Sequence, residues 1–258
     1  MKSIIYYFSA TGNSLFISRK IAENIENSQI LSMVSEMRKD NISPDAEKIG
    51  FVFPLYFSGI PLVVENFIRK INIADIGYIF AVVTAGIPVT GAALSIVDKL
   101  LQNKNKRLNY GSYVKMVDNY LPIYDIPDQK EQIKINQKAL LKVEIISKNI
   151  NDKINKKTLE ITPLLAIQYK PWKKKKKEFD SVFFIDSKCN GCGICKKVCP
   201  TSNIKLLDKK PQWFGNCEFC LACIHHCPQK SIQLDKKSVY KRRYIHPEIK
   251  LSDIIEKI

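Results

Sequence analysis

A chain of 258 residues with 45% apolar and 26% charged side chains has enough material for a sizeable core. Its composition excludes the disordered and membrane-embedded classes. The formal charge of +16 is uneven: residues 1–100 balance nine basic against nine acidic side chains, so the whole excess belongs to residues 101–258. All eight cysteines lie between Cys189 and Cys227. With an apolar start too short for a secretion leader, metal ligation is the stronger expectation, disulfides are the weaker, and a cytoplasmic location follows.

The chain opens with an apolar run, Lys2 to Phe8, that reads as a buried strand, followed by a helix with Ile17, Ile21 and Ile25 four apart. A weaker strand is expected near Gln29 to Met33 and a short buried one from Ile49 to Phe53, stopped by Pro54. Val64, Phe67, Ile68 and Ile71 mark the apolar face of a helix that starts by Pro61. Residues 76–97 carry no charge, yet Gly77, Gly86, Pro88 and Gly91 divide them. A strand (Tyr78 to Thr84), a loop and a helix through Ala93 and Val97 explain that stretch better than a membrane span. A further strand is expected within Leu108 to Val117. A long helix should run from Asp128 to about Asn155, with Ala139, Val143, Ile146, Ile150 and Ile154 on one face. Alternation of strands and helices predicts a doubly wound, five-stranded parallel α/β sheet over residues 1–160.

In such sheets ligands bind beyond the carboxyl ends of the strands. Three loops lie there: Ser9–Ser14, Pro54–Pro61 and Thr84–Gly91, and four of the ten glycines fall in them. Either they permit close approach of backbone to a ligand or they simply mark loops. The first loop, Ser9-Ala10-Thr11-Gly12-Asn13-Ser14, places hydroxyls, an amide and a glycine at a helix start, which makes an anion cradle. It lacks the lysine of a nucleotide-cleaving P-loop. Residues 161–181, with Pro163, Pro171 and the run Lys173 to Lys177, read as a linker. The lysine run is a solvated face or a steering patch for an acidic partner. Residues 237–258 form a basic tail without an assignable role.

Cys189-x₂-Cys192-x₂-Cys195-x₃-Cys199-Pro200 recurs 28 residues later as Cys217-x₂-Cys220-x₂-Cys223-x₃-Cys227-Pro228. This is the spacing of bacterial 4Fe–4S ligation, in which the fourth cysteine of one run serves the other cluster. One cluster is therefore expected on Cys189, Cys192, Cys195 and Cys227, and a second on Cys217, Cys220, Cys223 and Cys199. Zinc is the rival, although its paired knuckles are usually separated by longer gaps. His225 and His226, between ligands, read as exposed or packing side chains. Two clusters in a small α+β module spanning 182–236 argue for electron transfer over a structural staple.

On these motifs the chain resembles fused proteins with an N-terminal flavodoxin-like domain and a C-terminal bacterial-type, two-cluster ferredoxin domain. The resemblance implies FMN as cofactor, with Ser9, Thr11, Gly12, Asn13 and Ser14 around its phosphate. It implies Pro54, Leu55, Tyr56 and Gly59 as a second flavin loop, with Tyr56 stacking, and Thr84, Ala85 and Gly86 as a third. The third loop departs from the family pattern because Ala85 and Ile87 offer no ring; either Tyr120 covers the outer flavin face or that face stays open. FMN carries two electrons and each cluster one, so the protein would exchange one- and two-electron steps with an acidic redox partner protein. The alternatives are a self-contained FMN-dependent reductase of a small organic acceptor, and a nucleic-acid-associated protein with structural clusters. The last draws on the basic charge, which bound clusters and FMN would reduce to roughly +10. Oxygen-labile clusters and a Lys/Ile/Asn-rich composition point to an anaerobe.

Overall fold

The computed structural model describes residues 2–87, 91–158, 160 and 166–255. Part of the third loop (88–90), the start of the expected linker (161–165) and the end of the tail (256–258) lie outside the described residues.

Strands β1 (Ser3–Tyr7), β2 (Ser28–Ser32), β3 (Lys48–Pro54), β4 (Tyr78–Ala85) and β5 (Tyr110–Lys115) form a parallel sheet. A two-residue β6 (Lys156–Lys157) adds a sixth strand beside β5, one more than the hydrophobic runs predict. The strand order β2-β1-β3-β4-β5-β6 contains the 2-1-3-4-5 order of flavodoxin-like sheets, whose reversal of strand order lies between β1 and β3. Side chains alternate between the two faces because strand periodicity is two. Ile4, Tyr6 and Phe8 join the core under α3 (Leu62–Lys70) and α4 (Ala93–Gln102). Ile5 and Tyr7 join the opposite core, under α1 (Asn13–Glu23) and α5 (Gln129–Asn151). A one-turn helix, α2 (Met33–Glu36), follows β2. Every residue of β4 is buried, which explains its uncharged sequence without a membrane. No helix among the described residues is long and apolar enough to cross a membrane.

The long helix α5 begins where expected, because the Asp128 carboxylate accepts from Glu131 N at 2.9 Å and caps it. It stops at Asn151, short of Asn155, and Ile154 lies beyond it, 39% exposed. The larger departure is the expected linker. Residues 166–182 form α6 (Ala166–Lys174) and a 3₁₀ helix (Lys175–Val182). Tyr169, Trp172 and Phe179 from this segment are buried. Tyr169 Oη donates to Glu65 Oε2 at 3.1 Å and Lys173 pairs with Glu65 at 2.6 Å, so the segment is fastened to α3.

The cysteine-rich part has two short antiparallel pairings. One joins β7 (Phe184–Ile185) to β10 (Ile232–Gln233), and the other is a hairpin of β8 (Ile204–Leu207) and β9 (Lys210–Trp213). Each cysteine run carries a one-turn helix, α7 (Ile194–Lys197) or α8 (Ala222–His225). The last described helix is α9 (Leu251–Ile255), packed against the core beneath α1.

Candidate functional site

A cavity of about 310 Å³ opens beyond the carboxyl ends of β1, β3, β4 and β5. Of the residues expected to hold a cofactor, Ser9, Thr11, Asn13, Ser14, Pro54, Leu55, Tyr56, Thr84, Ala85 and Gly86 line it. Gly12 and Gly59 do not. A Cβ on Gly12 would meet the Ile249 side chain at 2.9 Å, and one on Gly59 would run into the Tyr169 ring. Both glycines therefore serve contacts behind the loops, with the tail and with α6.

The first loop offers an uncapped helix start. Gly12, at φ 102°, is the N-cap of α1 and no side chain caps the helix. The first intrahelical bond is Phe16 N to Gly12 O at 2.8 Å, which leaves the N–H groups of Asn13, Ser14 and Leu15 without helical acceptors. Thr11 Oγ1 accepts from Asn119 Nδ2 at 2.5 Å and keeps its own proton for donation; Ser14 Oγ shares a hydrogen bond with Thr84 Oγ1 at 2.8 Å. The Asn13 amide is committed elsewhere: Nδ2 donates to Val117 O at 3.0 Å and Oδ1 accepts from Tyr244 Oη at 2.8 Å. Asn13 is thus a brace for the loop, and only its backbone is directed to a ligand. No lysine or arginine lines the cavity among the described residues. An anion held here rests on neutral donors and the helix dipole.

The walls are aromatic. Tyr56 lies edge-on to Phe8 and Trp172, at 6.4 and 6.3 Å between centroids. Phe57 stacks on Trp172 at 5.3 Å and meets Tyr120 edge-on at 5.4 Å. Phe57 and Ser58 both have positive φ, 46° and 63°, in a turn closed by paired bonds between Tyr56 and Gly59. Such turns favour Asn-Gly, so Phe-Ser here carries strain of about 1–3 kcal/mol per residue. It aims the Phe57 ring at the cavity. Asp118 also faces in. Burial raises its carboxyl pKa, opposed by the Tyr120 N–H it accepts at 3.0 Å. A side chain on Gly86 would collide with this carboxyl, so glycine is what lets Asp118 approach.

The cavity's remaining wall comes from far along the chain: Phe219, Cys220 and Leu221. The cysteines lie in two neighbourhoods. Cys189, Cys192, Cys195 and Cys227 surround one small hollow with Pro228 and Ser231. Cys195 is pushed up to about 11, by burial first and then by repulsion from Cys227, Cys192 and Cys189. Cys220 is pushed up by burial first, then by Cys199 and Cys217. Cys223 responds in the same way to burial and then to Cys220, Cys217 and Cys199. Buried thiols this crowded become thiolates only around a positive core, which fits iron. The fourth cysteine of each run also receives a backbone N–H from four residues on: Asn203 to Cys199 Sγ at 3.3 Å and Ser231 to Cys227 Sγ at 3.4 Å. Among the described residues no three His, Cys, Asp or Glu side chains converge as they would on a single metal ion.

A family profile described as a 4Fe-4S dicluster domain matches residues 173–232. The chain joins a flavodoxin-like domain to a 4Fe–4S dicluster domain. A search of curated protein sequences gave no match. The chain is similar, over 57% of its length and 99% of theirs, to a flavodoxin from the domain Archaea (18% identity, TM-score 0.35) and to an azoreductase from Bacillus anthracis (12%, 0.39). It is also similar to an NAD(P)H:quinone oxidoreductase from Methanothermobacter marburgensis, with 12% identity, 58% and 97% coverage and a TM-score of 0.38. At those scores the strand order, not the likeness, assigns the fold.

All three histidines are buried where the sheet meets the cysteine-rich part and the tail. His225 Nε2 donates to Asn119 O at 2.9 Å while Nδ1 accepts from Tyr244 N at 3.1 Å. His226 Nε2 donates to Ala10 O at 2.9 Å. The His246 ring stacks on Phe16 at 4.0 Å, and the His246 backbone N–H donates to Thr11 O at 2.8 Å. Burial lowers the pKa of each, to about 3 for His225 and about 4 for His246. Between them, the histidines and the tail tie the dicluster part to the anion-binding loop. No sequence signal marks the contacts to Ala10, Thr11, Phe16 and Asn119, because they join residues more than a hundred positions apart.

Proposed function

We propose that the protein is an electron-transfer flavo–iron–sulfur protein that exchanges one- and two-electron steps with a partner redox protein. The observation that carries this reading is Cys220 in the wall of the cavity, beside Tyr56 and Leu221, which sets one cysteine quartet directly against the cofactor site of the sheet. In this reading residues 1–160 form the flavin domain and 182–236 the dicluster domain, with 166–182 as a packed connector. Two 4Fe–4S clusters take the crossed quartets, and FMN takes the cavity. Its phosphate would be held by Thr11, Ser14 and the free N–H groups at the start of α1, and Tyr56, Phe57 and Tyr120 supply aromatic walls. Clusters supply single electrons and a flavin supplies paired ones. The chain's own residues position them, exclude water between the cavity and the second quartet, and tune sulfur through backbone N–H groups.

Anaerobic purification with iron and flavin counts, followed by stepwise redox titration, tests the proposal. About eight irons and one FMN per chain are expected; zinc in the quartets, or no flavin, overturns it. Asp118 supports a second reading, a reductase of a small organic acceptor, because a carboxyl that lines the cavity and whose pKa burial raises is placed to hand a proton to a substrate there. If that reading holds, Asp118→Asn should slow reduction of a small quinone at least tenfold while leaving one-electron exchange with a protein carrier unchanged.

A further inference from the structure

The two quartets face different surroundings. Cys220 looks into the cavity, whereas Cys192 is exposed to solvent and Cys189 half-exposed. The quartets adjoin each other internally, since Cys195 of the first packs into the same buried cluster as Cys199, Cys217 and Cys223 of the second. Solvent, first quartet, second quartet and cavity therefore follow one another in space.

The rim of the first quartet is cationic. Lys188, Lys196, Lys197, Lys209, Lys210 and Lys230 are all exposed. None forms an ion pair among the described residues, where the surface pairs lie elsewhere, on Lys2, Lys20 or Lys148. Lys209 packs over Gly191, and Lys210 Nζ donates to Cys189 O at 3.0 Å, so these two are held directly above the quartet. Two acids are nearby. Asp186 accepts from Lys188 N, and Asp208 sits in the hairpin turn with Lys209. Beside them Leu207, at the tip of the hairpin, is 45% exposed. An apolar centre within a charged rim suits brief docking: the charges speed and orient encounter without making the complex long-lived.

Resting on the electron-transfer reading above, we infer that this face, from Lys188 to Lys210 around exposed Cys192, is where an acidic one-electron carrier protein docks. In each encounter one electron passes from the reduced carrier to the protein at this face, and the carrier leaves oxidised by one. Two encounters match the two electrons that a flavin accepts. The cavity mouth is thereby left free for other traffic. Charge complementarity selects the partner: unpaired lysines around the exposed quartet repel a basic carrier and attract an acidic one.

The test is anaerobic stopped-flow reduction by a photoreduced, small acidic ferredoxin. A face variant, Lys188→Glu, Lys196→Glu and Lys209→Glu, is compared with a variant of equal charge change on α5, Lys130→Glu, Lys138→Glu and Lys142→Glu. At low salt the face variant should lose at least tenfold in second-order rate, and its dependence on salt should flatten. The α5 variant should stay within twofold. Reduction by methyl viologen radical, a small cation, should not slow in either. Equal losses in both variants, or none in the face variant, overturn the docking assignment. A wild-type protein without about eight irons overturns the electron-transfer reading beneath it, and the iron count reports that separately.

Discussion

The two cysteine runs share ligand spacing and backbone path, yet they differ at two positions that the repeat makes equivalent. The first run has Gly191 and Gly193, at φ 74° and 75°; the second has Phe219 and Leu221, at φ 53° and 59°. Left-handed backbone suits glycine and costs other residues about 1–2 kcal/mol each. The second run bears that cost because its side chains have work that the first run's do not. Phe219 stacks on Phe179 at 4.6 Å, and both Phe219 and Leu221 close the cavity wall. In the first run the same positions meet Lys209 and Leu206, on the side away from the cavity. One motif has thus become a wall in one copy and an exposed face in the other.

Removing a ligand from each run separates these roles most sharply. Cys220→Ala should lose about half the iron and most of the bound flavin, because the cavity wall goes with it. Cys192→Ala should lose comparable iron and keep its flavin. Iron and flavin content of the purified variants report both, and equal flavin loss would erase the distinction. The glycines come next. A Cβ at Gly191 would approach Lys209 Cβ to 2.7 Å and Lys209 O to 2.9 Å, whereas at Gly193 the nearest atom is Leu206 Cδ1 at 3.5 Å. Gly191→Ala should therefore destabilise by about 3 kcal/mol, from strain plus overpacking. Gly193→Ala should cost about 1 kcal/mol, from backbone conformation alone. Denaturant unfolding of the holoprotein measures the difference.

Two smaller effects concern the tie between dicluster part and anion loop. Tyr244→Phe leaves Asn13 Oδ1 without its donor and should weaken flavin binding by about 1–1.5 kcal/mol, roughly a tenfold rise in Kd by fluorescence titration. Acid should loosen the tail through His246. Its folded pKa of about 4 lies below the value of about 6.5 expected when unfolded. The unfolded chain therefore binds the proton first as pH falls. The stability contributed by neutral His246 is complete above about pH 6.5 and declines below it, by at most about 1.4 kcal/mol per pH unit, until about pH 4. Unfolding midpoints from pH 7 to pH 5 should fall less steeply in His246→Phe, which keeps the stack on Phe16.

Much of this was readable in the sequence. Apolar runs such as Tyr78 to Val83 leave little choice but a buried strand, and the repeated cysteine spacing marks out the dicluster segment that the family profile matches. The loops around the cavity were also legible, because strand ends in a parallel sheet converge. What escaped was set by long-range packing. The lysines at 173–177 hide the apolar face of Tyr169, Trp172 and Phe179, so a packed connector reads as linker. Gly12 and Gly59 invited a ligand-contact reading, yet it is Ile249 and Tyr169 that need the space. The Asn13 side chain reads as a ligand donor until Tyr244 and Val117 are found to occupy it. A sixth strand of two lysines has no pattern to announce it, since Lys156–Lys157 pairs only with Tyr110 and Gly111.

The brace from Tyr244, His246 and Ile249 to a loop at residues 9–14 has a consequence for the order in which the protein is made. The sheet can assemble once its strands have left the ribosome, but the loop after β1 lacks its back wall until residues 244–249 arrive. Flavin capture, on the proposed reading, would then wait until residues 244–249 have emerged, after both cysteine runs. Nascent chains stalled before residue 240 should hold a folded sheet that retains no flavin.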